Sequence, residues 1–410
     1  MIRTFRSLES SSVTRAIFWL AMAVMAVVSL QHAVALANAI SYGNGARIGL
    51  DYRAFLAAGE LIRSASSDLL YEPFSPEFLE LAQVGFVYPP WAALFMIPWT
   101  FLSVNVGLTL WTVVGLGVMV AGLRSCGVKD WRPAVVAMVS FPAVFALGLG
   151  QSTFFFIGIV GFTVGSMVRS QAERSGFWLA LAGWKPHLLV GFGLLWVTDP
   201  RRWWRQALAA AAGTIGLILV SSIALPGSWK AWVAFLVDSV NGLASAVLEA
   251  SLPGMVSLVI GSLNPVRWVI VAVLAVGLIT LVIVTLRRRK ASLEASIALA
   301  LGTWLLIVPH VVIYDVLVLL VPLSMAFQTR FRRDVVASGT LLALGLSIGP
   351  RVIQMQLDLW GRALDLSTLA LVVAVAMFAF WAWTGVPFFD EGLEVRDGSA
   401  SPVRHESDVS

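Results

Sequence analysis

A small set of polar residues could do chemistry in a chain whose other side chains mostly cannot. Asp51, in GLDYRAFLAAGELI, is either the N-cap of the helix that follows or a base able to take a proton from an attacking hydroxyl. Lys185, in GWKPHLLV, stands mid-way along an apolar stretch, where an ammonium costs about 2.5–3.5 kcal/mol on insertion scales. Unless its stem snorkels to the surface, it faces a cavity or a partner. Pro186 beside it frees backbone groups, which also favours a polar pocket. His187 either satisfies one of those carbonyls or belongs to the pocket. His310, Tyr314 and Asp315 follow in PHVVIYD, where the i, i+4 spacing puts His310 and Tyr314 on one helix face. Asp315 then needs a partner, either Arg351 or a backbone donor. Arg351 itself is an interfacial anchor or a third cation beside Lys185 and His310. Gln151 is a turn residue after LGLG or a site residue, and Tyr71 and Tyr88 belong to an aromatic belt or to the site's walls.

The elements that must position these residues are set by composition. Of 410 residues 59% are hydrophobic and 12% charged, and the mean hydropathy is +0.86. That excludes a soluble globular domain, a disordered chain and a coiled coil. A single cysteine excludes a disulfide scaffold. What remains is an all-α polytopic membrane protein with about ten to twelve crossings. The net charge of +5 marks cytoplasmic loops and no nucleic-acid partner. The first apolar stretch, 16–38, is too long for a signal-peptide core and reads as an uncleaved anchor. The membrane domain runs over 1–387, with outer loops at 42–87 and 226–265 that carry membrane-surface helices. Residues 388–410 form a polar cytoplasmic tail.

Two segments fit poorly as crossings. The stretch 88–104 opens on Tyr88-Pro89-Pro90 and meets Pro98, as suits a half-buried outer helix. The stretch 176–197 breaks at Lys185-Pro186, leaving halves of roughly 15 Å, half a bilayer each. Letting both dip and return moves basic loops to the cytoplasmic side, in line with the positive-inside tendency. Asp51, Tyr88, Gln151, His310 and Arg351 then gather at the outer face, with Lys185 in a cavity below. One base and three cations around one place suit a phosphate-bearing lipid. There is no Walker loop, GxGxxG, HExxH or CxxC, and the four histidines and the one cysteine give no metal-ligand spacing.

The order of motifs resembles glycosyltransferase family 87 of the GT-C superfamily. Those motifs are D-Y-x-x-F with Gly59, Leu70 and Tyr71, then F-x-Y-P-P (86–90), Gly150-Gln151, Lys185-Pro186, and Pro309-His310 with Tyr314-Asp315. The resemblance spans about 16–385. It implies a GT-C-type fold and an inverting transfer of a sugar, mannose first among them, from a polyprenyl-phosphate donor to a glycolipid or glycan hydroxyl. It implies a bacterial inner membrane with the site facing outward, and it requires no metal or other cofactor. Asp51 matches the family's base, and Lys185 and His310 match positions at the donor phosphate, with Arg351 nearby. Tyr71, Tyr88, Gln151, His187, Tyr314 and Asp315 line the pocket. Glu249-Ala250-Ser251 stands where the family often has Asn-Gln-Ser. The rival from another class is a flippase or transporter for lipid-linked sugars, since those also use broken mid-membrane helices.

Overall fold

A computed structural model describes residues 19–31, 34, 48–72, 85–239, 248–262, 264–288, 291–361 and 363–388. The tail from residue 389 onward, and the parts of the first span and outer loops not in these ranges, lie outside them. The described residues are helical throughout, apart from loops and one isolated antiparallel bridge, Glu249 with Val312. Five helices are long and apolar enough to cross a membrane: Val104–Ser125 (α4), Pro200–Ala224 (α10), Val266–Arg287 (α13), Arg332–Trp360 (α16) and Leu366–Thr384 (α17). The pair Arg132–Met138 (α5) and Phe141–Leu149 (α6), bent by 66°, makes a sixth. The crossings expected beyond these fall on shorter apolar helices: Trp19–Gln31 (α1), Thr153–Val168 (α7), Pro186–Thr198 (α9), Leu293–Ile307 (α14), and a 3-10 turn at Ile313–Leu319 that runs on into Leu320–Ala326 (α15).

Both poorly fitting segments are broken. The first is a seven-residue helix, Pro90–Met96 (α3), running into a 3-10 turn, Ile97–Phe101, with a proline early in each. Neither piece is long enough to span a bilayer. The second rises as Ala172–Leu181 (α8) and returns as α9, with Lys185 between them. Gln206 of α10 shows the reversal: it donates to Ser175 Oγ at 2.7 Å and accepts from Trp196 Nε1 at 2.9 Å. The start of α8 and the end of α9 therefore lie at one level, with Lys185 at the tip.

Close helix approach supports this frame. Helices α4 and α7 run side by side, and a Cβ on Gly161 would stand 2.5 Å from the backbone of Gly122. Small residues permit such contact where lipid gives helices no hydrophobic reason to associate. At the site end, Leu50–Arg63 (α2) lies across the bundle, burying Tyr52, Phe55, Ala58 and Leu61 on one face. Its polar face carries an Arg63–Glu60 hydrogen bond of 3.1 Å. The helix Ser228–Ser239 (α11) packs against the 3-10 turn Ser67–Tyr71, with Phe235 and Tyr71 ring centroids 6.1 Å apart and Trp232 Nε1 donating to the Val87 carbonyl at 3.1 Å. Leu252–Ile260 (α12) completes this end.

Candidate active site

Two glycines bring the first pair of site residues together. Gly49, before α2, and Gly150, after α6, both adopt left-handed backbone, with φ of 73° and 67°. A side chain on Gly150 would meet Tyr52 Cβ at 2.7 Å, so only glycine allows the α6 terminus to sit on α2. Asp51 is in the first turn of α2 and makes no capping bond. Its carboxylate instead accepts from Gln151 Nε2, so the N-cap reading does not hold.

Gln151 is the hub of this end. Its Nε2 also donates to the Tyr314 hydroxyl at 2.8 Å. Its Oε1 accepts from the Tyr88 hydroxyl at 3.1 Å and from the Ser152 N–H at 3.2 Å. A backbone N–H can only donate, so the amide oxygen must face Ser152 and the NH2 must face Asp51. The amide cannot flip without losing bonds on both sides. Tyr88 is held in turn by Tyr71, whose hydroxyl donates to the Tyr88 carbonyl at 2.8 Å. The Tyr88 ring packs 4.6 Å from Phe55. Burial pushes the Asp51 carboxyl up from 3.8 to about 6, against the Gln151 hydrogen bond and the Lys185 charge; Asp315 adds to the push.

Lys185 and Asp315 meet as a pair, Nζ to Oδ1 at 2.6 Å, each side chain 3% exposed. Asp315 Oδ2 accepts from the Val312 N–H at 3.1 Å. The partner of Asp315 is thus Lys185 together with a backbone donor, in place of Arg351. The ammonium also lies 4.8 Å from the Tyr314 ring centroid, a cation–π contact that ties the pair to the Gln151 network. Snorkelling is excluded by this burial.

His310 and Tyr314 do not share a helix face. Helix α14 ends at Ile307, and Val308, with ψ of 134°, is already extended. Pro309 disfavours helical backbone in the residue before it. His310 therefore lies on an extended stretch and Tyr314 in the 3-10 turn beyond. His310 Nδ1 is 3.1 Å from Glu249 Oε1, and its ring centroid is 6.4 Å from that of His187. The His187 carbonyl accepts from Trp304 Nε1. Arg351 is exposed on α16 and has no hydrogen bond or ion pair to these groups among the described residues. Sequence reasoning missed Glu249 as a site residue; the signal was an acid placed where an amide is usual. No cluster of three metal-binding side chains occurs among the described residues.

A largely apolar groove of about 600 Å³ runs from Val316 past Leu320 and Leu346 to Phe327, Arg132 and Arg332 toward the other end of the bundle. It reaches the residue next to Asp315. The arrangement thus offers one carboxylate with a raised pKa, a buried lysine, a histidine open to solvent and an apolar wall.

The profile of a known family, glycosyltransferase family 87, matches residues 86–309. The match takes in Tyr88, Gln151, Lys185, His187 and Glu249. No curated protein and no solved structure matches the chain.

Proposed function

The chain belongs to glycosyltransferase family 87, and from that premise we propose that it moves a sugar from a polyprenyl-phosphate donor to a hydroxyl of an envelope glycolipid or glycan. It is a multi-pass membrane glycosyltransferase; the donor, the acceptor and the mechanism are our reading. Asp51 accepts the proton of the acceptor hydroxyl as that oxygen bonds to the anomeric carbon. The bond from that carbon to the phosphate oxygen breaks on the opposite face, so the configuration inverts. Polyprenyl phosphate leaves with the bonding electrons, and its charge is met by His310 and Lys185. A phosphate needs little acid help to leave, so one carboxylate suffices where hydrolysis normally uses two. Arg351 has no part in this reading.

The observation that carries the proposal is the hydrogen bond from Gln151 to Asp51, which ties a carboxylate on a surface helix to the network around Lys185. Burial supports it further, since a base with a pKa near the working pH is both ionised and basic enough to act. The apolar groove suits the lipid tail of the donor, with mannose as the first sugar to test. The basic loops at the end of the bundle away from the site support a bacterial plasma membrane orientation with the site outside.

Purified protein in nanodiscs, given radiolabelled polyprenyl-phosphate mannose and a membrane lipid extract, should form a labelled product. Asp51→Asn should lower its rate by about 100-fold or more while donor binding persists. Full turnover by Asp51→Asn would remove Asp51 as the base. Movement of label across the bilayer with no new bond would replace transfer with transport.

A further inference from the structure

Glu249 takes no part in the mechanism above, yet it is a carboxylate only 4% exposed, set against His310. The backbone fixes both partners. Glu249 forms the bridge with Val312, and the Ala250 N–H donates to the Val311 carbonyl at 3.0 Å. Ser251 caps α12, and its carbonyl accepts from Thr368 Oγ1 of α17 at 3.3 Å. Glycine at 254 makes room for the acid: a Cβ there would stand 2.8 Å from Glu249 Cβ and 3.1 Å from Oε2. The carboxylate is thereby confined to a place behind the imidazole.

We propose that Glu249 is a positioning residue that holds the Nδ1–H of His310 and so aims Nε2 at the donor's phosphate, to which the Nε2–H of the imidazolium donates. This rests on the donor reading given above. An ionised carboxylate only accepts hydrogen bonds, so the ring nitrogen facing it carries the hydrogen. Nδ1–H is engaged with Glu249, 3.1 Å away. The opposite edge of the ring, with Nε2, is left for a ligand, and the His310 side chain is 46% exposed. A buried carboxylate that orients an imidazole in this way is a recurrent device in acid–base and anion sites. Among the described residues no other side chain is hydrogen-bonded to the His310 ring. His187, on its far side, keeps a buried Nε2 without a hydrogen-bond partner.

The test compares Glu249→Gln, His310→Ala and the double variant in nanodiscs. Glutamine keeps the shape of the acid but can donate as well as accept, so the ring is free to change tautomer. Transfer from polyprenyl-phosphate mannose should fall by about 10–100-fold in Glu249→Gln. The double variant should be no slower than His310→Ala alone, because Glu249 acts through His310. Losses that multiply would overturn the proposal. A second readout needs no turnover: nitrogen-15 NMR of histidine-labelled protein, with His310 assigned by its absence in His310→Ala. At a pH where the ring is neutral, a proton on Nδ1 is expected, and a proton on Nε2 alone would overturn the proposal. Wild-type protein that transfers nothing would remove the donor reading, and the nitrogen spectrum would still decide the Glu249–His310 pairing.

Discussion

Gln151 opposes burial in setting the charge state of Asp51, because its amide is held at both ends. With Tyr88 and Ser152 donating to the oxygen, the NH2 always faces Asp51 and favours the ionised carboxylate. Burial works against it, and the balance leaves Asp51 at about 6. With Asp51 as the proposed base, transfer should therefore rise with pH through about 6 as its carboxyl ionises. Gln151→Glu puts a second carboxylate against the first and removes the donor, so the acidic limb should move up by about one unit or more. A limb that stays in place would mean another group titrates. The same shift has a consequence for stability. A carboxyl whose folded pKa lies above 3.8 stabilises the fold while protonated, and that contribution is lost as pH rises through about 6. At neutral pH Asp51→Asn should thus melt no lower than wild type although its transfer is slowed by about 100-fold or more. A clear drop in melting temperature would mark Asp51 as structural.

At the scale of elements, the α8–α9 hairpin delivers one charged tip to a 3-10 turn 130 positions along the chain. Removing one member of a buried pair leaves the other charge uncompensated, at about 3–5 kcal/mol. Lys185→Met should lower thermal stability by that order, and Lys185→Met with Asp315→Leu should recover most of it. If the tip only holds the hairpin, the double variant also recovers transfer; if the ammonium serves the donor phosphate, transfer stays lost. The break itself was legible, since a proline interrupts the helix and a lysine beside it in an apolar run demands a polar pocket. So was a short, broken helix after Pro89-Pro90. The partner of Lys185 was not legible, because no local pattern joins residues so far apart. The spacing of His310 and Tyr314 misled: it matches a helix, but Pro309 keeps Val308 extended and that stretch pairs with Glu249.

At the scale of the whole molecule, one end of the bundle carries the site and the other carries the basic loops. Four contacts gather that second end. Arg169 donates to the Ser125 carbonyl at 2.7 Å, and the Lys129 N–H donates to Gln328 at 2.8 Å. Arg288 lies over the Trp383 ring, and Arg330 donates to the Gly385 carbonyl. Arg202 shares a cleft there with Cys126, Ser170 and Glu294. Positive charge is retained on the cytoplasmic side of short loops, so the orientation proposed above puts this end inside and Asp51 outside. That orientation fits the proposed transfer, in which a donor lipid presented at the outer face meets Asp51 there. Cys126 is the chain's one cysteine, so Cys126→Ser provides a background free of thiols. In it, Ser103→Cys marks the site end, just before α4, and Gln171→Cys marks the basic end, just before α8; both positions are exposed. A membrane-impermeant maleimide applied to intact spheroplasts should label Ser103→Cys and leave Gln171→Cys unmodified until the membrane is opened. The opposite pattern would put Asp51 in the cytoplasm, and the donor would then have to be presented from the inner leaflet.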